Sequence, residues 1–174
     1  FAIAIAITAV MVYFFSRSIM LTLLPLVCSI IAVIWQLGLL TSIGFGMDPM
    51  SILVPFLVFA IGVSHGVQMI NAVEKQAVTG IGAKRASMAA FRNLLVPGGI
   101  ALLSDTVGFM TLLVIDIGII RELAITASMG VAVIILTNLL LLPVLMSFLK
   151  LDQKFSEMRL SFLISMTSYL KFPL

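Results

Sequence analysis

Five apolar runs, at about 1–15, 19–43, 50–72, 94–115 and 119–149, leave this chain few folds to choose from. Crossing the ~30 Å hydrocarbon core of a bilayer takes about 20 apolar residues of helix, each rising ~1.5 Å. Four runs reach that length, and the first is shorter, as if cut. Because the runs are continuous rather than alternating, helices are expected and barrel strands are not. Composition agrees: 62% of residues are hydrophobic and 10% charged, against about 25% charged in soluble domains. A core of 174 residues cannot hide that excess, so it must face lipid. The expected fold class is all-α, a polytopic membrane bundle of five transmembrane helices. The opening "FAIAIAITAVMVYFF" has neither a basic start nor a small-residue cleavage site. It therefore reads as a span entered in mid-helix, a fragment of a longer chain, rather than a signal peptide.

The charges sort by connection. Arg17 lies in the first turn; Lys75, Lys84, Arg85 and Arg92 lie in the third connection; Lys150, Lys154, Arg159 and Lys171 lie in the tail. The other side carries only Arg121, beside Asp48, Asp116 and Glu122. An excess of Lys and Arg marks the cytoplasmic side of a membrane protein. The expected location is thus the cell inner (plasma) membrane, multi-pass, with 16–18, 73–93 and 150–174 cytoplasmic. Orientation alone accounts for the net charge of +3, and no nucleic-acid partner is expected. Residues 73–93 read as a cytoplasmic connector whose second half is a short amphipathic surface helix. Residues 150–174 read as an interfacial amphipathic segment.

Ionisable side chains at membrane depth are costly and mark function by default. Two are present, His65 in "AIGVSHGVQMIN" and Asp105 in "LLSDTVGFMTLL". Counted from the inner ends of their runs, they lie roughly 10 and 16 Å deep, about one helical turn apart. An acid and an imidazole on neighbouring helices can hand a proton between the two sides of a membrane. His65 and Asp105 are therefore the expected proton-relay residues. Ser64, Gln68 and Asn71 share one helical face and form a supporting polar seam, with Ser104 and Thr106 flanking the acid. The competing reading is that Asp105 is a neutral acid bonded to a neighbouring helix.

"GVSHG" (62–66) matches the G-x-S-x-G pattern of serine hydrolases, but that motif needs a strand, a strained turn and a helix. Here it sits inside one long apolar run, and the chain's single histidine is the serine's own neighbour. Gly62 and Gly66 read instead as a small-xxx-small face for close helix packing. Pro25, Pro55 and Pro143 fall within spans, where neighbouring groups can satisfy the freed carbonyls. The lone Cys28 offers neither a disulfide framework nor a thiolate metal site. No phosphate loop or metal-ligand spacing is present, so no enzyme activity, cofactor or metal is expected.

Taken in order, five passages carry a family resemblance: "FFSRSIMLTLLPL" (14–26), "VPFLVFAIGVSHGVQMINAVEK" (54–75), "AKRASMAAFRNLLVPGGIALLSDTVGFMTLL" (83–113), "DIGIIRELAITASMGV" (116–131) and "LLLLPVLMSFL" (139–149). They resemble successive pieces of the resistance-nodulation-division superfamily, in particular its MMPL-like predicted exporters. The resemblance implies spans two to six of one six-helix half, a region also similar to sterol-sensing domains. It further implies a periplasmic domain upstream of residue 1 and a second half of the same protein. Many relatives place an acid on the fourth span, where this chain has Ser64 and His65, so that relay residue is not carried over.

The function expected from sequence is the membrane domain of a proton-driven secondary transporter, exporting lipids or other hydrophobic compounds. Its partners would be membrane lipids, a hydrophobic or lipid substrate, protons and the second six-helix half, and an oligomer is compatible with this. The alternative is a lipid-sensing or accessory membrane module of the sterol-sensing type that does not transport.

Overall fold

The computed structural model describes residues 1–44, 52–77 and 79–148. Asp48 and the expected interfacial segment 150–174 lie outside the described residues. Helices account for the architecture: α1 (Ala2–Ser16), α2 (Ile19–Ser42), α3 (Leu53–Ala77), α4 (Ala83–Thr111), α5 (Gly118–Ile134) and α6 (Leu142–Ser147). A π-helical segment, Ile135–Leu141, joins α5 to α6 without a break. No strand occurs among the described residues. Four rods are long and apolar enough to cross a membrane: Ile19–Ser42, Leu53–Ala77, Ala83–Val114 and Gly118–Ser147. At 15 residues, α1 is about 22 Å long, shorter than the hydrocarbon core. The chain is a multi-pass membrane helix bundle.

Short connections fold successive helices back on one another. Between α1 and α2, Arg17 adopts the left-handed conformation (φ 51°) and its N–H closes onto the Tyr13 carbonyl at 2.7 Å. Ser16 and Thr22 hydroxyls meet at 2.7 Å across this corner, replacing the water that the helix ends would otherwise need. Between α3 and α4, Gly80 (φ 79°) and Gly82 (φ 75°) supply the turn, using backbone space that side chains rarely enter. The end of the bundle holding these two turns carries Arg17, Lys75, Lys84, Arg85 and Arg92 and is called the basic end below.

α3 is the central rod, packed against α2, α4, α5 and α6. Two apolar clusters line its length. Toward the end away from the basic turns, Val58 and Val63 meet Ala32, Leu102, Ala127 and Val131. Nearer the basic end, Met69, Ile70 and Val73 meet Cys28, Ala86, Ala90 and Met146. α4 stands at the margin. Only 11% of its most apolar stretch is buried, against 44% to 56% for the other three spans.

Two sequence expectations change. The surface helix expected in the second half of 73–93 is not separate: α4 begins at Ala83 and runs unbroken to Thr111. Ala, Lys, Arg, Met and Phe in that stretch are adequate helix formers, and nothing before Pro97 interrupts them. α4 therefore extends well beyond the span start expected near residue 94. The last span is also not a uniform α-helix. Pro143 has no N–H for the Leu139 carbonyl and crowds it, and the widened π turn lies immediately before it.

Buried polarity is concentrated where the rods cross. Gln36 on α2 is 1% exposed, and neither amide atom has a hydrogen-bond partner among the described residues. An unpartnered buried polar group costs about 1–3 kcal/mol. Gln36→Met, close in volume and apolar, is therefore expected to stabilise the bundle by about 1 kcal/mol or more. Unfolding of the purified protein in detergent checks the sign; a lower midpoint would mean that the amide has a partner in the assembled protein.

Candidate functional site

A groove of about 680 Å³ runs along the seam of α3 and α4 toward the basic end. On α3, residues 64, 68, 71 and 75 follow at spacings of four, three and four, which places them along one stripe. Ser64, Gln68 and Lys75 are exposed and Asn71 is half-buried. His65, Gln68, Asn71 and Lys75 line the groove; Ser64, at the stripe's far end, does not. The opposite wall comes from α4 through Asn93, Leu94, Pro97, Gly98 and Ala101. Gly98 lets the floor close, since a Cβ there would lie 3.3 Å from Leu139.

His65 is half-buried, and its Nδ1 lies 3.0 Å from the Ile61 carbonyl one turn back. A carbonyl only accepts, so in this bond Nδ1 carries the hydrogen and the neutral ring leaves Nε2 as a bare acceptor.

Asp105 lies one turn beyond Ala101. Residues 94, 98, 101 and 105 share a face of α4, so the acid continues the wall of the groove although it is outside its lining. Asp105 and Ser104 are both exposed. Asp105 makes no hydrogen bond or ion pair among the described residues. Thr106 turns the other way: its hydroxyl donates to the Leu102 carbonyl at 2.9 Å, and Ser128 of α5 donates to the Thr106 carbonyl at 3.3 Å. The bundle thus gathers His65, Gln68 and Asn71 into one groove and sets Asp105 farther along its α4 wall. It does not join the acid to the imidazole directly, and it turns Thr106 toward α5.

Gly62 and Gly66 are buried on the side of α3 facing α2 and the π turn. A Cβ on Gly62 would lie 2.7 Å from Ser29 Oγ, and one on Gly66 would lie 2.6 Å from Pro25 Cβ. Asn138 of the π turn sits against both, 3.1 Å from each Cβ position. It is 2% exposed; among the described residues its Oδ1 has no partner and its Nδ2 reaches only Thr137 Oγ1, at 3.5 Å. The sequence marks Lys75 only as an orienting charge, and Asn138, Gln36 and Asn93 fall outside the polar stripe around His65; the amide in "ILTNLLLLP" was the available signal.

The sterol-sensing domain family, described as the sterol-sensing domain of SREBP cleavage-activation, matches residues 3–168. The chain belongs to the sterol-sensing domain family. Comparisons with curated proteins and with solved structures returned no match. Family membership makes this sterol-sensing domain a membrane module concerned with lipids or sterols. Its α3–α4 groove combines a proton acceptor, amides and an ammonium group with an apolar wall, a lining able to hold water or the polar end of an amphiphile.

Proposed function

We propose that this sterol-sensing domain is the membrane half of a proton-driven lipid exporter of the resistance-nodulation-division type. One observation carries the reading. Ser64, Gln68, Lys75 and Asp105 are exposed on the outer side of α3 and α4, and all but Lys75 lie where the helices cross the membrane. Hydrocarbon does not tolerate such a face. A second six-helix half laid against it would turn the groove into a hydrated path between two repeats, the place where such transporters put their coupling sites. His65 Nε2 would accept the proton in that path, Asp105 would receive it one turn farther on, and Gln68 and Asn71 would hold the intervening water. Proton flow would rock one half against the other and move a hydrophobic substrate. The test is Asp105→Asn in the complete protein, reconstituted with a pH gradient. Gradient-dependent export should disappear while expression and assembly persist; export at the native level would remove Asp105 from the mechanism.

A second reading, a lipid sensor without transport, is equally compatible with the family match. On that reading the groove takes the polar end of a lipid. A bound lipid together with gradient-independent behaviour in the same experiment would select it.

A further inference from the structure

A separate cleft of about 280 Å³ opens at the basic end, between the first turns of α4 and the end of α6. Lys84, Ser87, Met88 and Phe91 form its α4 wall at spacings of three, four and seven from Lys84, one helical face; Pro143 and Val144 contribute the facing wall. Three observations mark it as a site. Ser87 is 2% exposed, and its Oγ has no hydrogen-bond partner among the described residues. Thr8, Ser29 and Thr106 donate to a carbonyl of their own helix at 2.7–2.9 Å, a bond that Ser87 does not make among the described residues. Lys84, at the mouth, forms no ion pair among the described residues. The rest of the lining is apolar apart from Ser147, whose hydroxyl donates to the Val144 carbonyl at 2.7 Å.

We propose that this cleft binds one anionic glycerophospholipid. Its phosphate sits on the Lys84 ammonium and one acyl chain lies along Met88, Phe91 and Val144, while the Ser87 hydroxyl, closed off from the cleft, rotates to donate to an ester carbonyl. Depth supports the assignment. α4 has 29 residues and is about 43 Å long, longer than the ~30 Å hydrocarbon core. Its first turn, with Lys84 and the exposed Arg85, therefore stands among headgroups. Ser87 follows Lys84 by three helical steps, about 4.5 Å along the axis, matching a phosphate and an ester carbonyl joined through glycerol. A neutral sterol hydroxyl would engage Ser87 and leave the cation unused. The volume is at the lower end of ligand pockets, which run ~300–1,000 Å³, and suits a single chain. The cleft shares no residue with the His65 groove, so the inference stands apart from the proton reading.

The test is lipid retention by the purified complete protein, read by native mass spectrometry against phosphatidylglycerol, phosphatidylcholine and cholesterol. Phosphatidylglycerol is expected to be held at least about tenfold more tightly than phosphatidylcholine, whose equally charged phosphate carries a choline cation that Lys84 and Arg85 repel. Lys84→Gln should erase that preference. Val144→Trp, at a position open to lipid, should fill the cleft and remove retention of both. Arg92→Gln, an exposed basic residue outside the cleft, should leave the preference intact. Equal retention of the two phospholipids by the native protein, an undiminished preference in Lys84→Gln, or preferred binding of cholesterol would each overturn the proposal. Because Lys84 is exposed, its variant is expected to fold and decides the matter even if Val144→Trp does not.

Discussion

Gly66→Leu is expected to prevent the bundle from assembling. A Cβ at this position meets Pro25 Cβ at 2.6 Å and Pro25 Cα at 3.2 Å, and the second of these is backbone in the middle of α2. No rotamer change relieves such a contact, so α2 and α3 must separate. Overpacking by single methyl or methylene groups costs about 1–3 kcal/mol. Gly66→Ala should therefore lower stability by that amount, and leucine should exceed what a bundle of this size can absorb. Gly130 is similarly tight, its Cβ position being occupied by Val58. Gly108 on α4 is the matching control. Nothing lies within 4 Å of its Cβ position, so Gly108→Ala should stabilise by about 0.5–1 kcal/mol through helix propensity alone. Unfolding of the purified variants in detergent reads all three effects. A Gly66→Ala midpoint equal to the native one would mean that α2 and α3 do not meet as described.

Asp105→Asn and His65→Gln form the second large effect, on activity rather than on folding. Neither side chain is buried in the core: Asp105 is exposed and His65 half-buried. Both substitutions keep size and hydrogen-bonding capacity, so assembly should be unaffected. What is lost is protonation. One proton moving down 100 mV releases about 2.3 kcal/mol, which at 1.4 kcal/mol per tenfold sustains roughly a 40-fold substrate gradient. Either variant is expected to reduce the gradient-supported accumulation ratio toward one. The two should also behave alike when combined, since groups acting in series are not additive. A double variant worse than either single one, or a His65→Gln protein that still accumulates substrate, would contradict a shared relay.

The sequence made the helical membrane fold legible because hydrophobic run length is read directly against bilayer thickness. Element boundaries were harder. Residues 83–93 look amphipathic, yet they join α4, since a polar helix segment and the start of a long span that protrudes into the headgroups have the same composition. The seam of Gln68 and Asn71 was visible as a helical stripe around His65. Which neighbour covers that stripe was not, because period fixes the face of a helix but not its partner. For the same reason it could not be derived from depth alone that His65 lines the groove while Asp105 lies outside its lining. The π turn at Ile135–Leu141 was foreshadowed only by Pro143. A proline says that hydrogen bonding must be rearranged in the preceding turn, not whether the helix kinks or widens.

The central claim is that the polar face of α3 and α4 meets water inside the complete protein and not the bilayer. Cysteine labelling tests it most directly, because the native Cys28 is completely buried and contributes little background. Gln68→Cys and Asp105→Cys in the intact membrane should react with a charged, water-borne thiol reagent. Val96→Cys and Leu103→Cys, on exposed apolar positions of α4, should not. Labelling of both polar-face positions with silent controls is the predicted result; silence at Gln68→Cys and Asp105→Cys would place that face in lipid and contradict the account.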